Sequence, residues 1–217
     1  RWGKLGSSGS PTIIWTDGRD GRVTRDERTP GDRADEPVRP PDGTAKMPKD
    51  RAGVTAPTAW AWSEVGMGDD GSFVLPTGTV AFLLTDIERS TRAWEAEPEA
   101  MAAALDLHNR ILDRAVSARG GVCPPAQGEG DSVVAAFSRA SDAVLAARDA
   151  QRELAAATWP TTSPVRVRMA VHAGEARFVD DGNYAGHAII RTARLRAVAH
   201  GGQVLVSASA HDLTVDQ

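Results

Sequence analysis

Cysteine is almost absent from this chain. The single Cys123 among 217 residues excludes an internal disulfide and points to a reducing compartment. Beside Pro124-Pro125, with no neighbouring cation to lower its pKa, that thiol is a poor nucleophile. Long apolar runs are missing too: nothing approaches the ~20 residues that span a bilayer, and the N-terminal residues lack the apolar segment of a secretory signal. The net charge of −4 is too small to argue for a nucleic-acid or membrane surface. There is no glycine-rich phosphate loop ending in Lys, and no serine in a nucleophile elbow. His187 and His200 lack metal-ligand spacing, and His172, between Val171 and Ala173, reads as a sheet-face residue. These absences predict a soluble cytoplasmic protein without membrane or direct nucleic-acid contacts.

What is present divides near Leu75. Residues 1–75 are dense in Gly, Pro, Asp and Arg, with mixed charges as in Asp17-Gly18-Arg19-Asp20-Gly21-Arg22. Such a stretch buries too little apolar surface to offset its ordering entropy, so a poorly ordered extension is expected, despite scattered tryptophans at 2, 15, 60 and 62. Residues 76–217 are regular. Val80–Leu84 is an apolar run of strand length, Ser90 or Thr91 can cap a helix, and Pro98 suits a first helical turn. Met101, Leu105, Ile111, Leu112 and Val116 recur at helical spacing up to Gly120-Gly121. A strand pair around Gly128-Glu129-Gly130 and Val133–Phe137 follows, then a helix from Ser138 with Val144, Ala147 and Leu154 on one face. Val165–Ala173 alternates as a strand with one buried side, a helix runs from about Ala185 to Val198, and Gln203–Ser207 is the last strand. The order β-α-β-β-α-β-α-β predicts an α+β domain around a ferredoxin-like βαββαβ core, a fold that names no function by itself.

Two carboxylates stand out. Asp86 closes the apolar strand Val80–Thr85, and Asp131 sits at the tip of the second apolar unit, before Val133–Phe137. Acidic side chains at adjacent strand ends suit one or two Mg²⁺ ions, which take hard oxygen ligands and bind nucleotide phosphates. Taken singly, Asp86 can instead cap a helix and Asp131 can fill a turn.

Five blocks between residues 78 and 207 resemble the catalytic domain of class III adenylate/guanylate cyclases. Phe82–Thr91 is similar to the family's first metal motif, and Gly128–Asp131 with Val134–Phe137 to the hairpin carrying the second metal aspartate. Val165–Glu175 resembles the strand across the sheet, Gly182–Leu195 the dimer-spanning helix, and Ala199–Ser207 the block after it. The resemblance implies two Mg²⁺ or Mn²⁺ ions on Asp86, Asp131 and the Ile87 carbonyl, with the amides of Glu88, Arg89, Ser90 and Thr91 near the phosphates. It implies ATP as substrate, with GTP as an alternative, and a 3′,5′-cyclic nucleotide and pyrophosphate as products. It also implies a head-to-tail homodimer, in which Arg194 of one copy braces the α-phosphate held by the other.

The chain departs from that pattern at four places. The base-selecting Lys–Asp pair is replaced by Gln127 and Asn183, whose amides can serve either purine, so loose selection is expected. Ile190 replaces the asparagine one helical turn before Arg194, which implies slow turnover. Arg89 replaces a glycine. The chain stops at Gln217, soon after the last recognisable strand, where the family's domains continue, so an incomplete sheet edge or a fragment is expected. The alternative function is a degenerate cyclase-like domain that dimerises and regulates signalling or transcription.

Overall fold

The structure, a computed structural model, describes residues 4–5, 12–16, 75–124, 127–128, 130–179 and 183–215. Its first half comprises β1 (Lys4–Leu5), β2 (Thr12–Thr16), β3 (Thr79–Ile87), α1 (Ser90–Ala96), α2 (Pro98–Ser117), β4 (Val133–Phe137) and α3 (Ala140–Ala156). The second comprises β5 (Val167–Glu175), the small hairpin β6 (Arg177–Val179) and β7 (Asn183–Ala185), α4 (His187–Ala197), β8 (Gln203–Ser207) and α5 (Ala208–Asp212). No described helix is long and apolar enough to cross a membrane.

β3 is the continuous apolar run; it lies inside the sheet, and its two faces are buried in two separate clusters. The main sheet has the order β1-β2-β8-β5-β3-β4. β3 pairs antiparallel with β4 and β5, while β8 pairs parallel with β5 and β2. This is the α+β architecture with the expected βαββαβ core. Among the described residues its second strand is a single bridge, Val122 to Ala136, so the pair expected around Gly128 shows one full member there. Gly128 and Gly130 have φ of 112° and 63°, values that turn the chain rather than extend it.

One sheet face carries the main core. Ala81, Leu83, Met169 and Val171 pack under α2 and α3, against Met101, Ile111, Leu112, Val116 and the alanine-rich face of α3. Small Ala143, Ala146, Ala147 and Ala150 let α3 lie close to the sheet. The other face is smaller: Val80, Phe82, Leu84, Val134, Ala136, Tyr184 and Ala188 form a second cluster beneath α4. Phe82 meets Tyr184 edge-on, with ring centroids 4.8 Å apart. Because α4 covers this face, Ala170 and His172 are buried as well, and β5 is closed on both sides rather than one.

Two strands arise inside the segment read as an unordered extension. Thr12-Ile13-Ile14-Trp15-Thr16 is a β-branched run, and it lies parallel to Gln203–Ser207, with Lys4-Leu5 paired outside it. The parallel pairing satisfies a sheet edge that would otherwise expose unpaired backbone. The rest of that segment, residues 17–74, lies outside the described residues, as does Trp2.

Candidate active site

Asp86 and Asp131 meet at one end of β3. Asp86 is the penultimate residue of that strand, and Asp131 sits in the turn leading into β4, which pairs with β3 in register Thr85 to Val133. The Ile87 N–H donates to Asp131 Oδ2 at 2.9 Å, so the backbone beside one carboxylate holds the other. Burial and the charge of Asp86 push the Asp131 carboxyl up from its usual range, against the Ile87 N–H and the Ser90 hydroxyl that bond it. Such a pair calls for a counter-cation. Arg168 of β5 supplies part of one, its guanidinium donating to Asp86 Oδ2 through Nε at 2.7 Å and through Nη2.

Two further groups brace this end. Arg196 of α4 donates through Nη1 to the Thr85 carbonyl at 2.9 Å and to Ser132 Oγ at 2.6 Å, tying the strand end to the turn that carries Asp131. Glu88 accepts from the Gly201 N–H at 3.1 Å. Neither Ser90 nor Thr91 caps α1: the N-cap is Arg89, and Ser90, the first helical residue, gives its hydroxyl to Asp131. Arg89 has φ 60° and ψ 29°, the left-handed region that suits glycine. Thr91 is exposed in the first turn. Among the described residues no group of three or more His, Cys, Asp or Glu gathers for a metal, so a cation here would rest on two carboxylates and backbone oxygen. Hard anionic oxygens, half-buried and beside a like charge, fit a divalent ion such as Mg²⁺ or Mn²⁺.

No family model matches the chain. An uncharacterized protein of Mycobacterium tuberculosis is 47% identical over 146 residues, 67% of this chain and 48% of that protein. The chain therefore spans about half the length of this relative. The adenylate cyclase of Neurospora crassa is 32% identical over 156 residues, covering 61% of this chain and 7% of that enzyme. A solved adenylate cyclase structure from Trypanosoma brucei, in the monomeric state, superposes with a TM-score of 0.59 at 26% identity, over 65% of this chain and 77% of its own. The described domain has the fold of class III nucleotide cyclase catalytic domains. At 16% identity, the GTP-bound guanylate cyclase domain of Catenaria anguillulae shares the fold, with a TM-score of 0.58 over 64% of this chain and 82% of its own.

The residues expected to select the base lie together. Gln127 Nε2 donates to the Tyr184 carbonyl at 2.6 Å, and the Tyr184 N–H donates to Gln127 Oε1 at 3.0 Å. Both ends of the carboxamide are thus spent on the backbone of β7. The adjoining Asn183 keeps a buried Oδ1 with no hydrogen-bond partner among the described residues. Tyr184 reaches the Pro76 carbonyl with its hydroxyl at 2.7 Å, tying β7 to the segment that leads into β3. Arg194 and Ile190 share the outward face of α4; both are exposed, Ile190 at 47%.

Sequence reasoning missed Arg168 and Arg196. The alternation Val165-Arg166-Val167-Arg168 marks both of its arginines as lying off the core face, but only strand register sets Arg168 opposite Asp86. Arg196 follows Arg194 by two residues and so projects elsewhere on the helix, a signal visible in the spacing though not its target.

Proposed function

We propose that this cyclase domain converts a purine nucleoside triphosphate to a 3′,5′-cyclic nucleotide and pyrophosphate, with ATP as the main substrate, GTP as a second, and slow turnover. The observation that carries this reading is the convergence of Asp86 and Asp131, with the Ile87 backbone, on one strand end. The reaction needs the ribose 3′-oxygen to lose its proton and bond to the α-phosphorus while the bond to the β-phosphate oxygen breaks. Mg²⁺ or Mn²⁺, when bound, would polarise the α-phosphate and ease ionisation of the 3′-hydroxyl. Asp86, Asp131 and the Ile87 carbonyl are the groups that would hold such ions. The turn Glu88–Thr91 would lie along the phosphates, with the Arg89 guanidinium adding positive charge.

Arg194 serves the other half of the reaction. It is exposed on α4, suited to reach a triphosphate held by a second copy, and a homodimer is the assembly in which it would act. The names of the fungal relatives support adenylate cyclisation, and the GTP complex of the Catenaria domain supports a nucleoside triphosphate in this fold. Gln127, turned onto Tyr184, offers no fixed charge to a base edge, in keeping with loose purine selection.

The test is an assay of the purified chain with ATP or GTP and Mg²⁺ or Mn²⁺, beside Asp86→Ala. Cyclic nucleotide formed by the first and lost in the variant supports the proposal; equal yields from both overturn it. A preference of about a hundredfold or more for one purine would contradict the loose selection. One observation favours a second reading, a cyclase-like regulatory domain: exposed Ile190 stands where ribose contact needs a hydrogen-bonding side chain.

A further inference from the structure

The end of β5 away from Asp86 borders a cavity of about 640 Å³ that the proposed cyclisation does not use. Arg168 lies near the start of β5 and Glu175 at its end, so roughly 20 Å of strand separates the cavity from the paired carboxylates.

His172 forms one wall. The residue is only 7% exposed. Its Nδ1 lies 2.9 Å from Ser207 Oγ and 3.2 Å from Ser209 Oγ, and Ser209 donates onward to the Ala173 carbonyl at 2.7 Å. This chain of hydroxyls can accept a proton-bearing Nδ1. Nε2 is left without a protein partner among the described residues. Gly174 keeps the space beside it open: a Cβ there would stand 3.3 Å from Nε2 and 3.2 Å from the Ala188 Cβ.

The other walls are cationic. Arg177 of β6 and Arg191 of α4 both line the cavity, and neither side chain makes an ion pair or hydrogen bond among the described residues. The uncapped start of α4, Gly186-His187-Ala188, opens on the same space with its free N–H groups. A single carboxylate, Glu175, stands against the two arginines, exposed at the rim. Burial and the nearby charge of Arg191 push the His172 pKa down.

We propose that this cavity binds a phosphate dianion, carried by a small organic phosphate ester, between Arg177, Arg191, His172 Nε2 and the first N–H groups of α4. The dianion would neutralise both arginines and allow His172 to take a proton, with Nδ1 satisfied by the serine relay. The volume exceeds a bare phosphate, and Ala173, Gly174 and Ala188 leave room for an apolar body.

The experiment titrates the full chain, without divalent ions, with inorganic phosphate and separately with phenyl phosphate. Calorimetry follows binding, and the histidine ¹⁵N spectrum follows His172. Saturable binding with a His172 signal moving toward the imidazolium form is expected, weakened tenfold or more in Arg191→Gln and in Arg177→Gln and unchanged in Asp86→Ala. Tighter binding of phenyl phosphate supports the ester, whereas binding of inorganic phosphate alone overturns that part. No saturation by about 10 mM of either probe overturns the site. So does binding lost in Asp86→Ala and kept in Arg191→Gln, which would move the anion to the carboxylate end. The titration needs no turnover, so an inert cyclase would leave its outcome untouched.

Discussion

Arg168 and Asp86 are joined across adjacent strands, two guanidinium nitrogens converging on one carboxylate oxygen. A divalent ion approaching Asp86 must share that oxygen with a fixed positive charge. Arg168→Gln should therefore tighten Mn²⁺ binding by about tenfold, read from the free-ion signal in electron paramagnetic resonance. An unchanged affinity would show that the guanidinium does not compete for the site.

Arg89 stores backbone strain. It is the only non-glycine residue with positive φ among those described, and its side chain is exposed. A left-handed conformation costs a residue bearing Cβ about 1–2 kcal/mol, partly offset by glycine's greater freedom when unfolded. Arg89→Gly should raise stability by about 1 kcal/mol in chemical denaturation, or 2–4 °C in Tm. A loss of stability would mean the arginine side chain contributes more than the strain removes.

His108 shapes the acid limb of stability. It is fully buried in α2, with Nδ1 2.9 Å from Asn109 Oδ1 and Nε2 unpartnered among the described residues. Burial pushes its pKa down to about 4. The unfolded imidazole takes its proton near pH 6.5, so between pH 6.5 and 4 the unfolded chain binds more protons than the folded one. Stability from this residue is complete above pH 6.5 and falls by about 3 kcal/mol as the pH drops toward 4. Replacing it in His108→Leu should flatten that stretch of the stability–pH curve. An unaltered slope would assign the acid sensitivity to other groups.

Ile190 limits the proposed reaction rather than the fold. Its side chain is 47% exposed on α4, so Ile190→Asn removes little packing. A restored hydrogen bond to the ribose should raise kcat by about 10²-fold, with KM changing less. No gain, in a variant that melts like the parent, would put the defect elsewhere in the composite site.

The parts of this architecture written in local pattern were readable in advance. Asp86 and Asp131 each border an apolar run, so strand ends could be assigned to them without knowing the register. Pro98 lies in the first turn of α2, as its fixed φ and missing N–H require. The parts set by distant partners were not readable. Arg166 and Arg168 made β5 look open to water on one side, yet α4, from later in the chain, closes that side over Ala170 and His172. Ser90 has the chemistry of a cap, but Asp131 competes for its hydroxyl and wins. Thr12–Thr16 is a short β-branched run in a polar setting, and nothing near it in sequence provides the strand it joins.

That joining has a cost in time. Thr12 pairs with Gln203, roughly 190 residues later (203 minus 12), so a large loop must close before the pairing gains anything. During synthesis the early strand leaves the ribosome long before its partner exists. It should dock last, after the helices have set, and its amides should be among the first of the sheet to exchange with deuterium.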